Sequence, residues 1–582
     1  MEIFDVFTLL GGLAFFLFGM NVMSSGLEQL AGSKLEELLR KMTSNRFKAL
    51  LLGVGVTAII QSSSAVTVML VGLVNSGIMQ LGQSIGVIMG SNIGTTVTAW
   101  LISMTGIEGD SFWIQMLKPS SFAPLLALLG IGLMMMAKSN KKKSIGSILL
   151  GFAVLMNGME LMSGAVEPLK DSPAFAKVFT LFSNPLLGVL VGAVFTAIIQ
   201  SSSASVGILQ SLTATGAITF GNAIPIIMGQ NIGTCITALI SSVGVNRNAK
   251  RVSIVHISFN LIGTAVWLSL FYIVHLIVDF SFIDQPINAA WIAIIHSIFN
   301  ILTTLLLLPF TKLLEKLAYI IIKEKGKKAE EASFLDERLL NTPSIAVSEC
   351  NAKTVEMSHV AFATLNDSFA LMEQYTSARC DAVLAGEDRL DKYEDKLGSY
   401  LVKIATKEIS DADSRQVSRM LHTIGNFERL GDHAVNLMGV AKEMHEKQIS
   451  FSDEANREIA VLRRALNEIL ARTEEAYDKN DSALAARVEP LEQVIDLLIA
   501  DIKNRHIARL KNGYCTIELG FVLSDLLTNY ERISDHCSNI AVAIIESEQG
   551  SFDTHEYLAA VKEGSGTGFH DEFERCKAEY RL

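Results

Sequence analysis

The chain changes character at about residue 310, from mainly apolar to strongly charged. Before that point it contains long apolar stretches, most near the roughly 17–25 residues that a helix needs to cross a bilayer. These stretches are 6–23, 123–137, 144–162, 253–278 and 289–310. From about 345 to 548 apolar residues recur at helical spacing among charges, with scarcely any strand-like alternation. The pattern predicts an all-α protein, a polytopic membrane part followed by a soluble helical bundle.

The membrane part is a duplication. Residues 57–64, Thr-Ala-Ile-Ile-Gln-Ser-Ser-Ser, return unchanged at 196–203, a shift of 139 positions. At the same shift 89–99, which contains Asn-Ile-Gly-Thr-Thr, falls on 228–238, which contains Asn-Ile-Gly-Thr-Cys. Helical propensity alone does not produce an identity of eight residues, so we infer two gapless copies.

The duplication and the change in composition set the predicted boundaries. They are a transmembrane domain at 1–312, with repeat 1 at about 5–137, repeat 2 at about 144–279 and an extra span at 289–310, then a linker at 313–344, a helical domain at 345–548 and a tail at 549–582. The linker turns basic, then acidic, and ends near Pro343. The tail contains Gly564-Ser565-Gly566-Thr567-Gly568 and is predicted to be flexible.

Lysine and arginine crowd alternate loops, which marks the cytoplasmic side. The basic loop 31–48 is the repeat-mate of the poorly basic loop 170–187, so the two copies are predicted to enter the membrane from opposite sides. About seven crossings plus two hairpins then place the N-terminus outside and the acidic C-terminal domain in the cytoplasm. Inverted repeats with an interrupted helix in corresponding places indicate a transporter whose site lies near the bilayer midplane.

The repeated Gln-Ser-Ser-Ser is a poor sequence for contact with lipid, because an unpartnered amide or hydroxyl in hydrocarbon costs on the order of several kcal/mol. A helix broken there would present free N–H groups, which suit an anion, beside carbonyl and hydroxyl oxygens, which suit sodium. The candidate binding residues are Gln61, Ser62, Ser63, Ser64, Gln200, Ser201, Ser202 and Ser203. The alternative is that small polar residues only pack helices together, and two identical copies in inverted halves argue against it.

Further polar residues lie in the predicted spans. Asn92, Thr95 and Thr96, with Asn231 and Thr234 in the second copy, offer amide and hydroxyl oxygens beside a glycine. No lysine or arginine lies within the spans to neutralise an anion, so a co-bound cation is the natural counter-charge.

Three titratable residues in the spans leave two interpretations open. Glu160, almost the only carboxylate there, lies either on the pathway or in the headgroup region. His256 and His296, each followed at i+4 by an asparagine, form either a buried interhelical hydrogen bond or part of a passage or pH response.

The paired Gln-Ser-Ser-Ser segments, each followed about thirty residues on by Asn-Ile-Gly-Thr, resemble the type II sodium-phosphate cotransporter family over about residues 5–310. In that family the two segments form the sodium and phosphate pathway between inverted repeats. The resemblance implies a site built from both segments, with Asn92, Thr95, Asn231 and Thr234 as second contributors. Cys235 stands where its mate is Thr96, which removes one hard oxygen from one copy and leaves the number of ions open.

The soluble part also repeats itself, since 426–436 matches 529–539. In each copy a glutamate and an aspartate lie four residues apart, Glu428 with Asp432 and Glu531 with Asp535, so both carboxylates point off one helical face and repel. Such pairs, with neighbouring His and Asn, are typical of oxygen-rich metal ligation. Further acidic residues on earlier helices are Asp388, Asp391, Asp395, Glu489, Glu492 and Asp496.

This second half resembles PhoU over about 345–548, a helical phosphate-signalling protein of two three-helix repeats whose Glu-x-x-x-Asp motifs bind metal. The resemblance implies Glu428, Asp432, Glu531 and Asp535 as ligands of a divalent or iron-type metal. The alternative is a solvated acidic face whose charge is neutralised by arginines such as Arg429.

Composition argues against several classes of protein. A net charge of −11 disfavours a nucleic-acid binder. Six cysteines without CxxC spacing suggest neither a disulfide framework nor a zinc ribbon. The paired carboxylates lack an accompanying nucleophile motif or phosphate loop, so we expect no enzyme.

Together these features predict a sodium-coupled phosphate carrier of a prokaryotic inner membrane, with a cytoplasmic regulatory bundle. Its expected partners are inorganic phosphate, sodium and the lipid bilayer, with a homodimer mate and cytoplasmic phosphate-signalling proteins as further candidates. The rival hypothesis is a membrane-anchored, metal-binding phosphate-signalling protein that transports nothing itself.

Overall fold

The computed structural model describes residues 3–31, 45–106, 118–171, 184–323, 334–407, 409–549 and 567–582. The chain divides into two compact units, Met1–Ile345 and Ala346–Leu582. Parts of the loops 31–48 and 170–187, of the linker and of the tail lie outside the described residues, so the charge argument for topology stays a prediction.

Helices make up the first unit, and each apolar stretch predicted to span corresponds to one of them, with ends that differ by up to eight residues. They are α1 (Ile3–Ala31), α2 (Arg46–Ile60), α3 (Ser63–Asn75), α4 (Leu81–Gly94), α5 (Thr96–Ser103), α6 (Pro119–Met136), α7 (Asn140–Val166), α8 (Pro185–Ile199), α9 (Ser202–Leu212), α10 (Phe220–Ser241), α11 (Arg247–Val278), α12 (Ala289–Leu307) and α13 (Thr311–Ile321). Among the described residues six segments are long and apolar enough to cross a membrane, with α4 and α5 counted together. Helix α6, whose apolar part is shorter, accounts for the difference from the predicted count of about seven.

The repeat-mates α1 and α7 pack against each other through glycines. A Cβ added to Gly12 would lie 2.9 Å from the carbonyl oxygen of Gly158, and one added to Gly158 would lie 2.6 Å from that of Gly12. Gly19 and Gly151 repeat the reciprocal contact at 2.6 and 2.7 Å. Gly12 meets Gly158 whereas the later Gly19 meets the earlier Gly151, so the two equivalent helices run antiparallel. The two repeats are therefore inverted, as predicted.

Within each repeat two helices run parallel and in backbone contact. A Cβ on Gly90 of α4 would lie 2.0 Å from Leu50 O of α2, and one on Gly94 would lie 2.7 Å from Val54 O. In the second copy a Cβ on Gly229 of α10 would lie 2.1 Å from Val189 O of α8. Because α2 and α4 are parallel, α3 must lead the chain back between them. The segments α2–α3 and α8–α9 are thus re-entrant hairpins, as the fold prediction of broken helices requires.

The second unit is a helical bundle of two three-helix repeats. The first repeat is α14 (Pro343–Glu373), α15 (Ser377–Ala405) and α16 (Asp411–Lys447), and the second is α17 (Asp453–Lys479), α19 (Glu489–Lys511) and α20 (Ile517–Gln549), with a single turn α18 (Ser482–Ala485) between α17 and α19.

The prediction of a flexible tail is wrong for its last part, where α21 (Thr567–Glu579) forms. Helix α21 is held by an ion pair of 2.9 Å between Glu572 and Arg472 and buries Cys576. The glycine-rich composition just before it concealed this amphipathic helix from the sequence analysis. The predicted linker likewise contains helix α13 and a 3-10 turn, Glu337–Asn341.

Candidate functional site

The first hairpin turns at Gln61, which adopts a left-handed backbone conformation (φ 59°, ψ 18°) and ends α2. Its N–H donates to Thr57 O at 2.7 Å. The next residue, Ser62, begins α3 as its N-cap, and its hydroxyl accepts from Ala65 N at 3.2 Å. A left-handed residue other than glycine costs roughly 1–3 kcal/mol and is concentrated at functional sites. The left-handed conformation of Gln61 thus ends α2 and lets α3 begin at the next residue in the opposite direction.

The second hairpin reproduces this geometry. Gln200 has φ 58° and ψ 21°, and its N–H donates to Thr196 O at 2.7 Å. Ser201 caps α9 by accepting from Ala204 N at 3.2 Å. Each turn leaves the positive, N–H-bearing end of one helix beside the carbonyl end of another, which suits an anion and a cation respectively.

Both turns line one cavity of about 260 Å³, roughly the volume of eight or nine water molecules. The lining residues are Leu17, Met20, Asn21 and Ser24 of α1 with Gln61, Ser62, Ser63, Ser64, Gln200, Ser201, Ser202 and Ser203. None of these residues carries a charge. The structure therefore brings together, at one polar cavity, all eight Gln-Ser-Ser-Ser residues that the sequence singled out.

The other predicted contributors lie behind the turns and do not line this cavity. Their side chains bond carbonyls one turn back in their own helices: Asn92 to Ile88 O at 2.9 Å, Asn231 to Ile227 O at 2.9 Å, Thr95 to Ser91 O at 3.1 Å, Thr234 to Gln230 O at 2.9 Å and Thr96 to Ile93 O at 2.7 Å. Serine, threonine and asparagine within helices commonly satisfy themselves in this way. The glycines of the same stretches pack against the hairpin arms, so these segments support the site in this conformation.

Sequence reasoning missed three residues at the first turn. Asn21 and Ser24 of α1 line the cavity, and the Ser24 hydroxyl donates to Ile60 O at the end of α2. Thr98 of α5 donates to Gln61 Oε1 at 2.8 Å. Two polar residues three apart inside the first apolar span were the only signal for Asn21 and Ser24.

Glu160, His256 and His296 are not among the residues that line the cavity. His296 contacts Asn231 through Nε2 and Oδ1 at 3.3 Å, which agrees with the buried interhelical hydrogen bond. His256 is buried, and its Nδ1 has no hydrogen-bond partner among the described residues. Glu160 is exposed on α7, at the repeat position of Asn21.

The acidic motif of the first bundle repeat is crowded with carboxylates. Burial raises the pKa of Glu428 to about 7, and the negative charges of Asp432, Asp391 and Glu394 add to the shift. Neutralisation by Arg429 is weaker than these effects.

In the second repeat the corresponding carboxylates have basic partners. Glu531 pairs with Lys503 at 3.2 Å and Asp535 with Arg532 at 3.3 Å. In the part of the chain that the structure describes, no three His, Cys, Asp or Glu side chains are close enough to hold one metal ion. In this arrangement ion pairs occupy Glu531 and Asp535, and the metal site of Glu428, Asp432, Glu531 and Asp535 stays a prediction.

The histidines and asparagines of these motifs join the two bundle repeats. His433 Nδ1 contacts Asn529 Oδ1 at 2.9 Å, and His536 Nδ1 contacts Asn426 Oδ1 at 3.0 Å, with the rings stacked 5.4 Å apart. This reciprocal contact gives a structural reason for the recurrence of both residue types in the two motifs.

Comparisons with known proteins agree with these two units. The family described as Na+/Pi-cotransporter matches residues 15–164 and 165–287, and the PhoU domain matches 354–441 and 459–544. YjbB of Escherichia coli K12, provisionally named an inorganic phosphate export protein, is 24% identical over 94% of this chain and 99% of its own. YqeW of Bacillus subtilis, whose name states no function, is 33% identical over 53% of this chain and 96% of its own.

More distant relatives are of two kinds. Human sodium-dependent phosphate transport protein 2B is 36% identical over 21% of this chain and 19% of its own. The crystal structure of PhoU from Pseudomonas aeruginosa covers 35% of this chain and 97% of its own at 19% identity, with a TM-score of 0.33. The matches over the repeats and the bundle place the chain in the Na+/Pi-cotransporter family, in the form that has a PhoU-like domain after the membrane unit.

Proposed function

We propose that the protein is a sodium-coupled transporter of inorganic phosphate, regulated by its PhoU-like domain, that works by alternating access at the two Gln-Ser-Ser-Ser turns. The observation that carries the proposal is the common cavity, which two turns 139 residues apart line together. Phosphate transport is the activity of the family. The sodium coupling and the site itself are what we add.

The chemistry of the cavity supports binding of both ions. Helices α3 and α9 begin there, so their first-turn N–H groups and positive dipole ends are suited to phosphate oxygens. Helices α2 and α8 end there, and their last carbonyls with the serine hydroxyls are hard oxygen ligands of the kind that sodium takes. Among the described residues no charged side chain lines the cavity, so the charge of phosphate has to be balanced by a bound cation. Neither ion is stable there without the other, which is the physical basis of coupling.

The cavity is asymmetric, and this asymmetry defines one access state. It is lined by Met20 and Asn21 of α1, whereas their mates on α7, Met159 and Glu160, do not line it. In an inverted repeat, exchanging the conformations of the two copies converts one access state into the other. In the opposite state α7 then faces the cavity and Glu160 takes the place of Asn21. A carboxylate beside the site in one state alone favours sodium and disfavours phosphate there.

The proposed setting is a bacterial inner membrane, with the N-terminus outside and the PhoU-like domain in the cytoplasm. The alternation of basic and acidic loops supports this orientation. We do not extend the proposal to a metal in the PhoU-like domain, since no group of three ligands was found among the described residues.

The test is the flux of labelled phosphate into proteoliposomes under imposed sodium gradients of either sign. We expect phosphate to follow the sodium gradient in both directions. We expect Ser62→Ala and Ser201→Ala each to lower the flux by about tenfold, the factor that corresponds to 1.4 kcal/mol. Ser147→Ala on α7, whose hydroxyl bonds only its own helix, is the matched control.

Two outcomes would contradict the proposal. Flux that ignores the sodium gradient would remove the coupling while leaving transport. Absence of flux from correctly inserted protein would favour the membrane-anchored signalling protein.

A further inference from the structure

A short segment of the linker, residues 336–341, is fastened to the membrane unit and is called the linker clasp below. Asp336 is buried, and its Oδ2 accepts from Asn75 Nδ2 at the end of α3 at 2.7 Å. The same Asn75 accepts from the backbone N–H of Asn246 at 2.8 Å through its Oδ1. The clasp therefore bonds to the last residue of the helix that begins at the first Gln-Ser-Ser-Ser turn.

The linker clasp also holds the second repeat. Arg338 donates through Nε to Ser241 O and through Nη2 to Val243 O, both at 2.7 Å, at the end of α10. Its guanidinium pairs with Asp336 at 3.1 Å. Leu339 is fully buried against Gly72 of α3, where its Cδ2 lies only 2.7 Å from the position of an added Cβ. One segment thus joins the end of a helix from each repeat.

The face of α3 that Leu339 covers has a different neighbour in the second copy. The repeat-mate of Gly72 is Ser211 of α9, whose hydroxyl lies 3.7 Å from Met159 Sδ on α7. Gly207, one turn earlier on α9, lies against the same sulfur. The equivalent contact in the first copy is between Gly72 and Met20 of α1. That contact is not made here, and Leu339 occupies the surface that it needs.

We propose that the linker clasp is an autoinhibitory lock on the transport cycle. The inference rests on the proposed function: exchange of the two repeat conformations brings Gly72 onto Met20, and Leu339 must leave before it can do so. The contacts of Leu339 with α3 and of Met20 with α3 are mutually exclusive. The chain enters helix α14 at Pro343, four residues after Leu339, so a pull on that helix releases the lock.

The test compares cysteines at two repeat-mates in purified full-length protein, Met20→Cys and Met159→Cys, by their rates of reaction with a water-soluble maleimide. Met20 borders the cavity in the locked state and Met159 is fully buried. Adding Leu339→Ala should speed the reaction at 159 and slow it at 20, each by about tenfold, which is within the usual range of allosteric coupling. Leu313→Ala, an exposed position on α13, is the control.

A second variant guards against simple unfolding. Asp336→Asn keeps Leu339 but weakens the anchor at Asn75, and it should shift both rates in the same direction by a smaller factor. Unchanged rates in both variants, or a fall at 159, would overturn the lock. The reaction needs no flux, so it reports on the lock even in a protein that fails to transport.

A separate inference concerns a polar cavity of about 310 Å³ in the second unit. Its lining includes Arg415, Gln416 and Arg419 of α16 together with Asn480, Ser547 and one exposed carboxylate, that of Glu548. Arg419 is 4% exposed, yet it has no carboxylate partner among the described residues. It donates from Nη2 to Asn351 Oδ1 at 2.6 Å and lies over the Tyr477 ring, and its buried Nε has no partner there.

A buried guanidinium without a counter-charge is costly. Arg415 lies one helical turn from Arg419, is exposed, and makes no ion pair with another described residue. We infer that this cavity binds an oxyanion of the phosphate class, either inorganic phosphate or the phosphate group of a soluble metabolite. Planar guanidinium groups bind such oxygens in pairs.

Hydrogen exchange of the full-length protein tests this inference peptide by peptide, with inorganic phosphate or with ATP as the probe. Either probe should slow exchange over 411–420 and 476–481, and Arg419→Gln should abolish the effect. Arg457→Gln, an exposed arginine on α17, should leave it intact. Protection by ATP alone would identify a phosphoester as the source. No protection by either anion would mean that the arginines only balance the partial negative charge at the C-terminal ends of α17 and α20. That result would overturn the site. Peptides covering 57–64 and 196–203 report the transport cavity separately.

Discussion

The two re-entrant hairpins share a backbone and differ in what surrounds their glutamines. Gln61 is buried, accepts from Thr98 Oγ1 at 2.8 Å and donates to Ala58 O. Gln200 is exposed to the cavity side, and its side chain makes no hydrogen bond with another described residue. The repeated sequence therefore determines the turn, but not the role of its side chain.

The cause of the difference lies one helix away. Thr95, between α4 and α5, keeps right-handed helical dihedrals and donates its N–H to Ser91 O, so the helix continues past it, and Gln61 is met by Thr98. Its repeat-mate Thr237 lies within the continuous helix α10 and donates to Thr234 O at 2.9 Å instead. The hydroxyl of Thr98 thus fixes Gln61, whereas Gln200 receives no bond from Thr237.

The largest effect is expected where the copies are alike. Gly90→Val and Gly229→Val would each drive a side chain into a backbone carbonyl, at 2.0 Å from Leu50 O and 2.1 Å from Val189 O. We expect both to prevent folding of the membrane unit, at a cost above about 3 kcal/mol. Size-exclusion profiles and melting of the detergent-solubilised protein measure this. Gly55→Val is the control, since a Cβ there meets nothing within 4 Å and its repeat-mate is already Val194. A folded Gly90→Val beside an unfolded Gly229→Val would break the equivalence of the hairpins.

The next effect should distinguish the copies. Thr98→Val leaves Gln61 Oε1 buried without its donor, which costs about 1–3 kcal/mol. Thr237→Val loses only a bond within its own helix. We expect phosphate kcat/KM to fall by about tenfold in the first variant, equivalent to 1.4 kcal/mol, and to change little in the second. Equal losses would show that the bond between Thr98 and Gln61 has no functional consequence of its own.

A smaller difference is expected at the glutamines themselves. Gln61→Ala should lower the melting temperature, because it removes a buried side chain with two hydrogen bonds. Gln200→Ala should leave the melting temperature unchanged and raise the sodium concentration needed for half-maximal uptake. The strain of alanine in the left-handed conformation is the same at both sites and cancels in the comparison. The comparison fails if Gln200→Ala destabilises the protein as much as Gln61→Ala does.

The smallest effect concerns the two acidic motifs of the bundle. They share a sequence, but Glu428 lies among other carboxylates whereas Glu531 pairs with a lysine. The pKa of Glu428 is raised to about 7, so the folded state binds its proton more tightly than the unfolded chain does. Its contribution to stability is present below the ordinary pKa near 4.5 and is lost as the pH rises through 7. Glu428→Gln should therefore raise the melting temperature at pH 8 and not at pH 5. Glu531→Gln, which loses its pairing with Lys503, should not raise it at either pH.

Much of the membrane unit was predictable because a repeat carries three-dimensional information. The identity at 57–64 and 196–203 places the two turns, and the inversion inferred from loop charge agrees with the antiparallel contact of α1 and α7. The Asn-Ile-Gly-Thr stretches were expected to face the site, since their residue types suit it. Their side chains instead bond their own helices, and no one-dimensional pattern reveals that choice.

The bundle shows the complementary limit. Carboxylates four apart on a helix predict a shared face, but the cations that meet that face come from elsewhere in the chain. Lys503 is 28 residues from Glu531 and pairs with it only once α19 and α20 pack together. Helix α21 was concealed for a related reason, because Arg472, which holds it, lies 100 residues earlier.

The glycine seam between α1 and α7 has a consequence for how such a carrier can move. With backbones in direct contact at Gly12, Gly19, Gly151 and Gly158, sliding one helix by a residue would thrust larger neighbours into peptide groups. We therefore expect this pair to keep its register while the hairpins change position.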